Sequence, residues 1–163
     1  MVQIYLSGPI IHKQLRRDDF YKGVITVLER KGHSVFAPQF VPPLPSKEIY
    51  ERDVRWVRES DFVIAEVSKP SLGVGMELML AILERIPVLA FFQGDLEMLS
   101  RMVRGASGIT VIGYSTTDEV VSFLEEHELT SLVVKECPDC ESWTMKKTDD
   151  TQVCILCNSE ISV

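Results

Sequence analysis

The stretch Asp61-Phe-Val-Ile-Ala-Glu-Val-Ser-Lys-Pro-Ser-Leu-Gly-Val-Gly-Met-Glu-Leu-Met-Leu80 joins a buried strand to a helix through a turn of small residues. Phe62 to Val67 is a short apolar run with one carboxylate, typical of a strand covered on both faces in a parallel sheet. From Gly75 onward, closely spaced apolar residues predict a largely buried helix with Glu77 in its first turn. Ligands of open α/β sheets bind beyond the carboxyl ends of the strands. We therefore expect a small molecule to be held at Ser71, Gly73, Gly75 and Glu77.

Strands and helices alternate along the chain as far as residue 131. Strands are predicted at residues 2–6, 35–37, 62–67, 87–92 and 109–112. The other helices are predicted at residues 18–31, 46–60, 96–103 and 117–128, the first of them capped by Asp18 or Asp19. This alternation predicts right-handed βαβ units in a doubly wound, five-stranded parallel sheet, which is a flavodoxin-like or Rossmann-like α/β domain over residues 1–131.

Composition and charge narrow the class of partner. The 163 residues are 45% hydrophobic and 25% charged, as in a globular protein. The net charge of −7 disfavours a nucleic acid, because phosphates are bound mainly by Lys and Arg. No apolar run reaches the roughly 18 to 20 residues of a membrane-spanning helix, and the N-terminus lacks the basic region of a secretory signal. We therefore expect a cytoplasmic protein that binds neither nucleic acid nor membrane.

Four cysteines in two Cys-x-x-Cys pairs dominate residues 132–163, where the alternation of strands and helices stops. The pairs are Cys137 with Cys140 and Cys154 with Cys157. Two such knuckles make a tetrahedral four-sulfur site, and we predict a structural zinc in a small ribbon-like segment. The alternatives are two disulfides or an iron site of rubredoxin type with the same four ligands. Because a four-sulfur zinc is closed to substrate, the metal is expected to stabilise this small segment rather than to catalyse.

Three motifs can be compared with known families: Asp53-Val-Arg-Trp-Val, Asp61-Phe-Val-Ile-Ala-Glu-Val and Pro70-Ser-Leu-Gly-Val-Gly-Met-Glu-Leu. They closely resemble the 2'-deoxynucleoside 5'-phosphate N-hydrolases, relatives of the nucleoside 2-deoxyribosyltransferases. Ile4-Tyr-Leu-Ser-Gly-Pro-Ile and Leu99-Ser-Arg-Met-Val-Arg-Gly are also similar to that family. The resemblance covers about residues 2–125 and leaves the cysteines outside. It implies cleavage of the N-glycosidic bond between a base and deoxyribose 5-phosphate, with no cofactor for the chemistry.

The resemblance also implies roles for individual residues. Glu77 would attack or stabilise the anomeric carbon, and Asp53 would assist proton transfer. Ser71 would contact the 5'-phosphate. Ser100 would reach that phosphate from a neighbouring subunit, which implies a homodimer with a shared active site. The residues that would line the sugar and base pocket are Tyr5, Gly8 and Ile10.

The chemistry of the residues is consistent with these roles. A glycosidic bond breaks through an oxocarbenium-like state, which a close carboxylate stabilises. If Glu77 lies at a helix N-terminus, the helix dipole and free amides favour its ionised form. The same amides, with Ser71, Gly73 and Gly75, would suit a phosphate. Without the resemblance, Asp53 would be a solvated helix residue, Ser71 and Gly73 turn formers, and Tyr5 a core aromatic.

One position favours a nucleotide over a nucleoside. Six residues before the glutamate, transferases acting on nucleosides tend to carry an aspartate, which would repel a phosphate, whereas this chain has Ser71. After Gly8, however, the similar hydrolases carry Ser-Ile-Arg, and this chain has Pro9-Ile10-Ile11. The candidate replacements for the missing cation are Lys13, Arg16 and Arg17.

Other functions remain open at this point. The first alternative is a nucleoside 2-deoxyribosyltransferase, in which a second base replaces water. The second is a non-catalytic nucleotide-binding or interaction module, against which the presence of both Asp53 and Glu77 argues. The proline-rich stretch at residues 38–45 is expected to form a wall or lid over the pocket, and Glu66 receives no role. Surface positions are expected for His12, His33 and His127.

Overall fold

The computed structural model describes residues 1–11 and 14–162, and it contains a five-stranded parallel sheet as predicted. The strands are β1 (Gln3–Ser7), β2 (Ser34–Phe36), β3 (Phe62–Glu66), β4 (Val88–Phe92) and β5 (Ile109–Gly113). Their order is β2-β1-β3-β4-β5, and every neighbouring pair is parallel. This is the doubly wound order of flavodoxin-like folds, so the predicted fold class is confirmed.

Five α-helices pack on the two faces of this sheet. They are α1 (Asp18–Arg30), α2 (Ser46–Glu59), α3 (Leu72–Leu83), α4 (Arg101–Arg104) and α5 (Thr117–Glu126). α1 and α5 pack together over one face, and α2 and α3 over the other. Strand residues alternate between the two apolar cores: Ile64 faces α1 and α5, whereas Tyr5 and Val63 face α2 and α3.

Three local predictions are wrong. The helix predicted at residues 96–103 is a short 3₁₀ turn, Leu96–Met98, followed by the four-residue α4. Neither Asp18 nor Asp19 caps α1, because the N-cap position is Arg17 and no side chain caps it. His33 is buried, with Val2 N–H donating to its Nδ1. His127 is half-buried against Phe123, and His12 lies outside the described residues.

The start of α3 differs from the prediction in a way that matters for the site. The helix begins at Leu72 rather than Gly75, because Ser71 takes the N-cap position and its Oγ accepts a hydrogen bond from Val74 N–H at 3.5 Å. Glu77 therefore lies in the second turn and not in the first. The helix dipole and the free amides of the first turn are correspondingly weaker at its carboxylate.

α3 is also more exposed than predicted. Only Val74, Leu78 and Ala81 are buried in it. Large apolar side chains of the same helix are exposed: Leu72 (92%), Met76 (62%), Met79 (49%) and Leu83 (68%). The apolar sequence of α3 thus covers the sheet with one stripe and leaves a second apolar stripe on the surface.

The cysteine-rich segment forms a separate antiparallel sheet of four strands, β6 (Leu132–Val134), β7 (Thr144–Lys147), β8 (Thr151–Cys154) and β9 (Glu160–Ser162). It packs on the first sheet at β5. Trp143 N–H donates to Thr110 Oγ1 at 3.0 Å, and Thr110 Oγ1 donates to Thr144 Oγ1 at 2.8 Å. Leu132 and Ile155 also join the core beneath α1 and α5. A division into domains 1–131 and 132–163 stays a prediction.

None of the helices in the described part of the chain combines the length and the apolarity that a membrane span requires. The cytoplasmic location stays a prediction.

Candidate active site

An open cavity of about 650 Å³ lies beyond the carboxyl end of β1, between the proline-rich stretch, α2 and α3. This is the position at which open α/β sheets bind their ligands. The proline-rich stretch lines it as a wall, with Pro38, Pro42 and Pro43. Six of the residues singled out in the sequence line the cavity together: Gly8, Ile10, Asp53, Ser71, Gly73 and Glu77.

The other three predicted site residues lie elsewhere. Tyr5 is fully buried behind the cavity wall and contacts Glu77. Gly75 is on the exposed side of α3 and does not line the cavity. Ser100 is exposed at the N-cap of α4 and does not line the cavity of its own chain.

The carboxylate of Glu77 is held by two donors on β1. Tyr5 hydroxyl donates to Oε1 at 2.9 Å, and Ser7 hydroxyl donates to Oε2. Tyr5 and Ser7 share a strand face because successive side chains of a strand alternate. Burial raises the pKa of Tyr5, so its hydroxyl stays protonated and remains a donor. Both oxygens of Glu77 are thus fixed at the cavity wall.

The protonation of Glu77 differs from the prediction. Burial raises the pKa of Glu77 to about 7, and the hydrogen bonds from Ser7 and Tyr5 oppose this rise. The sequence predicted an ionised group favoured by a helix N-terminus, whereas the half-buried Glu77 lies in the second turn and loses solvation at the cavity wall. Near neutral pH the group is divided between acid and carboxylate.

Asp53 is the second carboxylate at the cavity. It is 8% exposed on α2, and its Oδ1 accepts a hydrogen bond from Arg52 Nε at 2.7 Å. The Arg52 guanidinium lies over the ring of Phe36, which stacks on Trp56. Asp53 is therefore a buried, cation-paired carboxylate and not a solvated helix residue.

Three polar residues of the site were missed in the sequence: Ser7, Arg52 and Gln39. Ser7 could have been found, since it lies two residues after Tyr5 at the end of a strand. Gln39 is buried in the cavity wall, where Nε2 donates to Leu6 C=O at 3.2 Å while Oε1 has no partner among the described residues. Its only signal was a polar residue between prolines. Arg52 directly precedes Asp53, and nothing in the sequence assigned it a role of its own.

The basic residues before α1 point in different directions. Arg16 lines the cavity, donates from Nε to Asp18 Oδ1 at 2.8 Å, and has its guanidinium over Phe40. Arg17 Nε lies 3.6 Å from Glu66 Oε1, on the opposite face of the sheet. Lys13 lies outside the described residues. Of the described pair, only Arg16 faces the cavity.

The four cysteines form a compact sulfur cluster. Their Sγ atoms all lie within 4.8 Å of one another, and the pairs Cys137–Cys157 and Cys140–Cys154 are 3.5 Å apart. All four are free cysteines, so the structure does not contain the alternative of two disulfides. Each Cys-x-x-Cys knuckle is followed by a residue with positive φ, Glu141 or Asn158, whose N–H bonds back to the first cysteine's carbonyl.

This cluster fits a metal ion. Tetrahedral Zn–S bonds of about 2.3 Å place sulfurs about 3.8 Å apart, close to the observed spacing. The residues that could bind a metal are Cys137, Cys140, Cys154 and Cys157.

Comparison with known proteins agrees with the predicted family and fold. A protein of Thermofilum pendens with the provisional name 2'-deoxynucleoside 5'-phosphate N-hydrolase 1 is 31% identical over 134 residues, or 76% of this chain and 93% of that protein. The 5-hydroxymethyl-dUMP N-hydrolase of Danio rerio is 44% identical over 85 residues, or 50% of this chain and 59% of that protein.

A solved structure, the CMP N-glycosidase of Clostridium botulinum, has the same fold. Its TM-score is 0.62 at 20% identity, over 77% of this chain and 99% of that one. The family model described as nucleoside 2-deoxyribosyltransferase matches residues 4–136, which include all of the cavity residues named above. The chain therefore belongs to the nucleoside 2-deoxyribosyltransferase family.

Proposed function

We propose that the protein hydrolyses the N-glycosidic bond of 2'-deoxynucleoside 5'-monophosphates to the free base and 2-deoxyribose 5-phosphate. The observation that carries this proposal is Glu77, a carboxylate with both oxygens hydrogen-bonded at the wall of a cavity that also contains Asp53. The names of the relatives, a deoxynucleoside 5'-phosphate N-hydrolase and a 5-hydroxymethyl-dUMP N-hydrolase, support the reaction class.

In this proposal Glu77 acts on the anomeric carbon. Its carboxylate bonds to C1', or forms a close ion pair with it, while the C1'–N bond breaks and its electron pair leaves with the base. Water then adds at C1' and releases Glu77 as a carboxylate. Tyr5 and Ser7 support the step, because their hydrogen bonds to a negative carboxylate favour the ionised form against the effect of burial.

Asp53 is the proposed proton carrier. Its carboxylate takes a proton from the water that attacks C1' and passes it to the released base, so protons balance over the cycle. Arg52 fixes the orientation of its carboxylate. Asp53→Asn should lower kcat by about 100-fold, in line with typical losses of acid–base groups. The matched control is Glu51→Gln on the same helix, whose exposed carboxylate pairs with Lys47 and lies outside the cavity.

The 5'-phosphate is assigned to Ser71 and Arg16. Ser71 caps α3, so its hydroxyl and the first-turn amides, including Gly73, face a site suited to an anion. Arg16 supplies the positive charge, since it lines the same cavity. Arg16→Gln should raise KM for the monophosphate several-fold and leave KM for the nucleoside unchanged. An equal effect on both substrates would contradict the assignment.

A substrate panel tests the reaction. Purified protein is incubated with deoxynucleoside monophosphates, deoxynucleosides and ribonucleotides, and free base is measured by chromatography. We expect base release from at least one deoxynucleoside monophosphate at a higher kcat/KM than from its nucleoside. Release of no base from any monophosphate would contradict the hydrolase.

A transferase is the second candidate, because the family model is that of the nucleoside 2-deoxyribosyltransferases. The same glycosyl intermediate would then react with a second base. Adding an isotopically labelled free base to the assay separates the two: hydrolysis gives deoxyribose 5-phosphate, whereas transfer gives a labelled nucleoside or nucleotide.

We further propose a homodimer through the exposed apolar stripe of α3. Two more exposed apolar side chains, Met98 (80%) and Met102 (81%), flank Ser100 in the sequence. Burial of these side chains against a second copy would remove apolar area from water. It would also allow Ser100, which does not line the cavity of its own chain, to reach the phosphate site of the partner.

The dimer has two tests. Met79→Asp should convert a dimer to a monomer in sedimentation and lower activity, whereas Glu84→Gln at the end of the same helix should do neither. Ser100→Ala should raise KM for the monophosphate in the intact dimer. A wild-type monomer with full activity at assay concentration would contradict both.

The cysteine cluster is assigned to a structural zinc. Among the residues that the structure describes, its small core contains only Cys137, Met145 and Cys154, with Val133 and Ile161 at its edge. A metal would therefore contribute much of the folding free energy of this segment. Metal analysis should find about one zinc per chain. Iron in its place would identify a rubredoxin-type site, and less than about half an equivalent of either metal would contradict the four-sulfur site.

A further inference from the structure

Glu66 is a buried carboxylate that the proposed reaction does not use. It ends β3, has no exposed surface, and faces α1 on the opposite side of the sheet from Glu77. Charged groups are costly to bury unless they are paired and hydrogen-bonded. Its Oε1 accepts hydrogen bonds from Ser68 N–H at 3.1 Å, from Ser68 hydroxyl and from Tyr114 hydroxyl at 3.0 Å.

Glu66 forms an ion pair with Arg17, whose Nε is 3.6 Å from Oε1. Within the described residues, Arg17 is the only basic side chain that forms an ion pair with this carboxylate. The other oxygen, Oε2, is buried and has no partner in the same residues. Arg17 is therefore the group that offsets the buried charge.

Arg17 also lies next to a cavity residue in the sequence. It is the N-cap residue of α1 and directly follows Arg16, which lines the cavity. The two side chains diverge, Arg16 toward Phe40 at the cavity and Arg17 toward Glu66 in the core. No side-chain hydrogen bond caps α1. The ion pair is thus a tertiary contact that fixes where the chain enters this helix.

We propose that Glu66 is a positioning residue for substrate binding: by pairing with Arg17 it holds the entry to α1 and so keeps Arg16 at the cavity wall. The inference about substrate rests on the proposed function, whereas the anchoring of the segment does not. Glu66 itself touches neither the cavity nor Glu77.

The kinetic test uses Glu66→Gln, Arg17→Gln, the double variant and Tyr114→Phe. Each single change of the ion pair should raise KM for a deoxynucleoside monophosphate by about threefold to tenfold, with kcat within about twofold, as expected for a loss of uniform binding. The double variant should match the single variants, because both remove the same interaction. Tyr114→Phe removes one hydrogen bond to Glu66 but leaves the ion pair, and KM should be unchanged.

A second measurement does not depend on activity. Trypsin cuts after Arg16 when this segment opens locally, and the cleavage rate follows the population of the open form. Glu66→Gln and Arg17→Gln should be cut after Arg16 at least threefold faster than wild type, and Tyr114→Phe at the wild-type rate. This outcome is expected even if no monophosphate is a substrate, so failure of the proposed function would not be mistaken for failure of the anchor.

Two results would overturn the inference. One is an unchanged cleavage rate in both ion-pair variants. The other is an equal rise of KM in Tyr114→Phe, which would mean that Glu66 acts through its hydrogen bond with Tyr114 and not through Arg17. If Glu66→Gln does not fold, Arg17→Gln decides alone, because its side chain is partly exposed and its loss leaves Glu66 hydrogen-bonded to Ser68 and Tyr114.

Discussion

Glu77 and Glu66 both place a carboxylate near the carboxyl ends of the central strands, but Glu77 is half-buried and Glu66 is fully buried. Glu77 extends from α3 to β1 at the cavity, where its two oxygens are held by Tyr5 and Ser7. Glu66 faces α1, does not line this cavity and is paired with Arg17. The difference teaches that burial alone does not make a carboxylate reactive. The proposed catalytic group, Glu77, is accessible to a ligand and has donors that fix both of its oxygens. Within the described residues, the proposed anchor, Glu66, has neither.

The largest effect that sharpens this comparison is the pH dependence of activity. If ionised Glu77 is the reacting form, kcat/KM should rise about tenfold per pH unit from pH 5 to 6 and level off above an apparent pKa near 7. The groups facing Glu77 are Tyr5, Asp53 and Arg52, so this pKa belongs to the coupled set. A rate that is flat between pH 5 and 8 would assign the reaction to another group.

The next effect concerns the donors on Glu77. Ser7→Ala removes a hydrogen bond that lowers the pKa of Glu77, so its pH–rate profile should move to higher pH by about one unit. Near pH 6 the activity should fall by up to about tenfold, with near recovery at pH 9. Ser68→Ala is the matched control, because it removes a hydroxyl donor from Glu66 instead. A profile that moves equally in both variants would erase the distinction between the two glutamates.

A smaller effect is expected on stability. The folded state raises the pKa of Glu77, so it binds more protons than the unfolded state between about pH 4.5 and 7, and the free energy of unfolding falls as pH rises through this window. Glu77→Gln removes this cost. It should stabilise the protein at pH 8 by about 2 kcal/mol, a rise in Tm on the order of 5 °C, and by little at pH 4.

Thermal unfolding of Glu77→Gln and Glu66→Gln at pH 4 and pH 8 measures this change in stability. Glu66→Gln should not show the same gain at pH 8, because its carboxylate is offset by Arg17 and accepts three hydrogen bonds. A gain in Glu66→Gln equal to that in Glu77→Gln would contradict the account.

The sequence predicted the fold well because alternating apolar strands and helices leave few topologies for a parallel sheet. It failed at the start of α3, where Pro70 and Gly73 suggested a turn and the helix was predicted to begin at Gly75. The structure places both glycines inside the helix, since Ser71 caps it earlier. That shift of the helix start moved Glu77 out of the first turn, and loss of solvation, which the sequence does not show, raises its pKa to about 7.

Burial within one chain was also hard to predict for α3. Periodicity reports that Met76, Met79 and Leu83 are apolar, but it does not report what covers them. A helix that packs on its own sheet and on a second copy has the same apolar sequence as a fully buried one. The structure leaves these side chains exposed. Sedimentation tests whether a second copy covers them.

The polar details of the site depend on contacts between distant parts of the chain. Ser7 meets Glu77, and Glu66 meets Arg17 and Tyr114, only after the strands align. The motifs around Asp53, Ser71 and Glu77 could be picked out because they stand in one continuous region with a recognisable resemblance. Gln39 and Arg52 offered no comparable signal.

The most direct test of the central claim is single-turnover base release from a deoxynucleoside monophosphate at pH 7.5 by wild type, Glu77→Gln and Glu66→Gln. With enzyme in excess and substrate saturating, we expect Glu77→Gln to be slower than wild type by about 1,000-fold or more. Glu66→Gln should react within about twofold of wild type, because it alters binding and not the chemical step. Base release by Glu77→Gln at the wild-type rate would contradict the assignment of Glu77 as the reacting carboxylate.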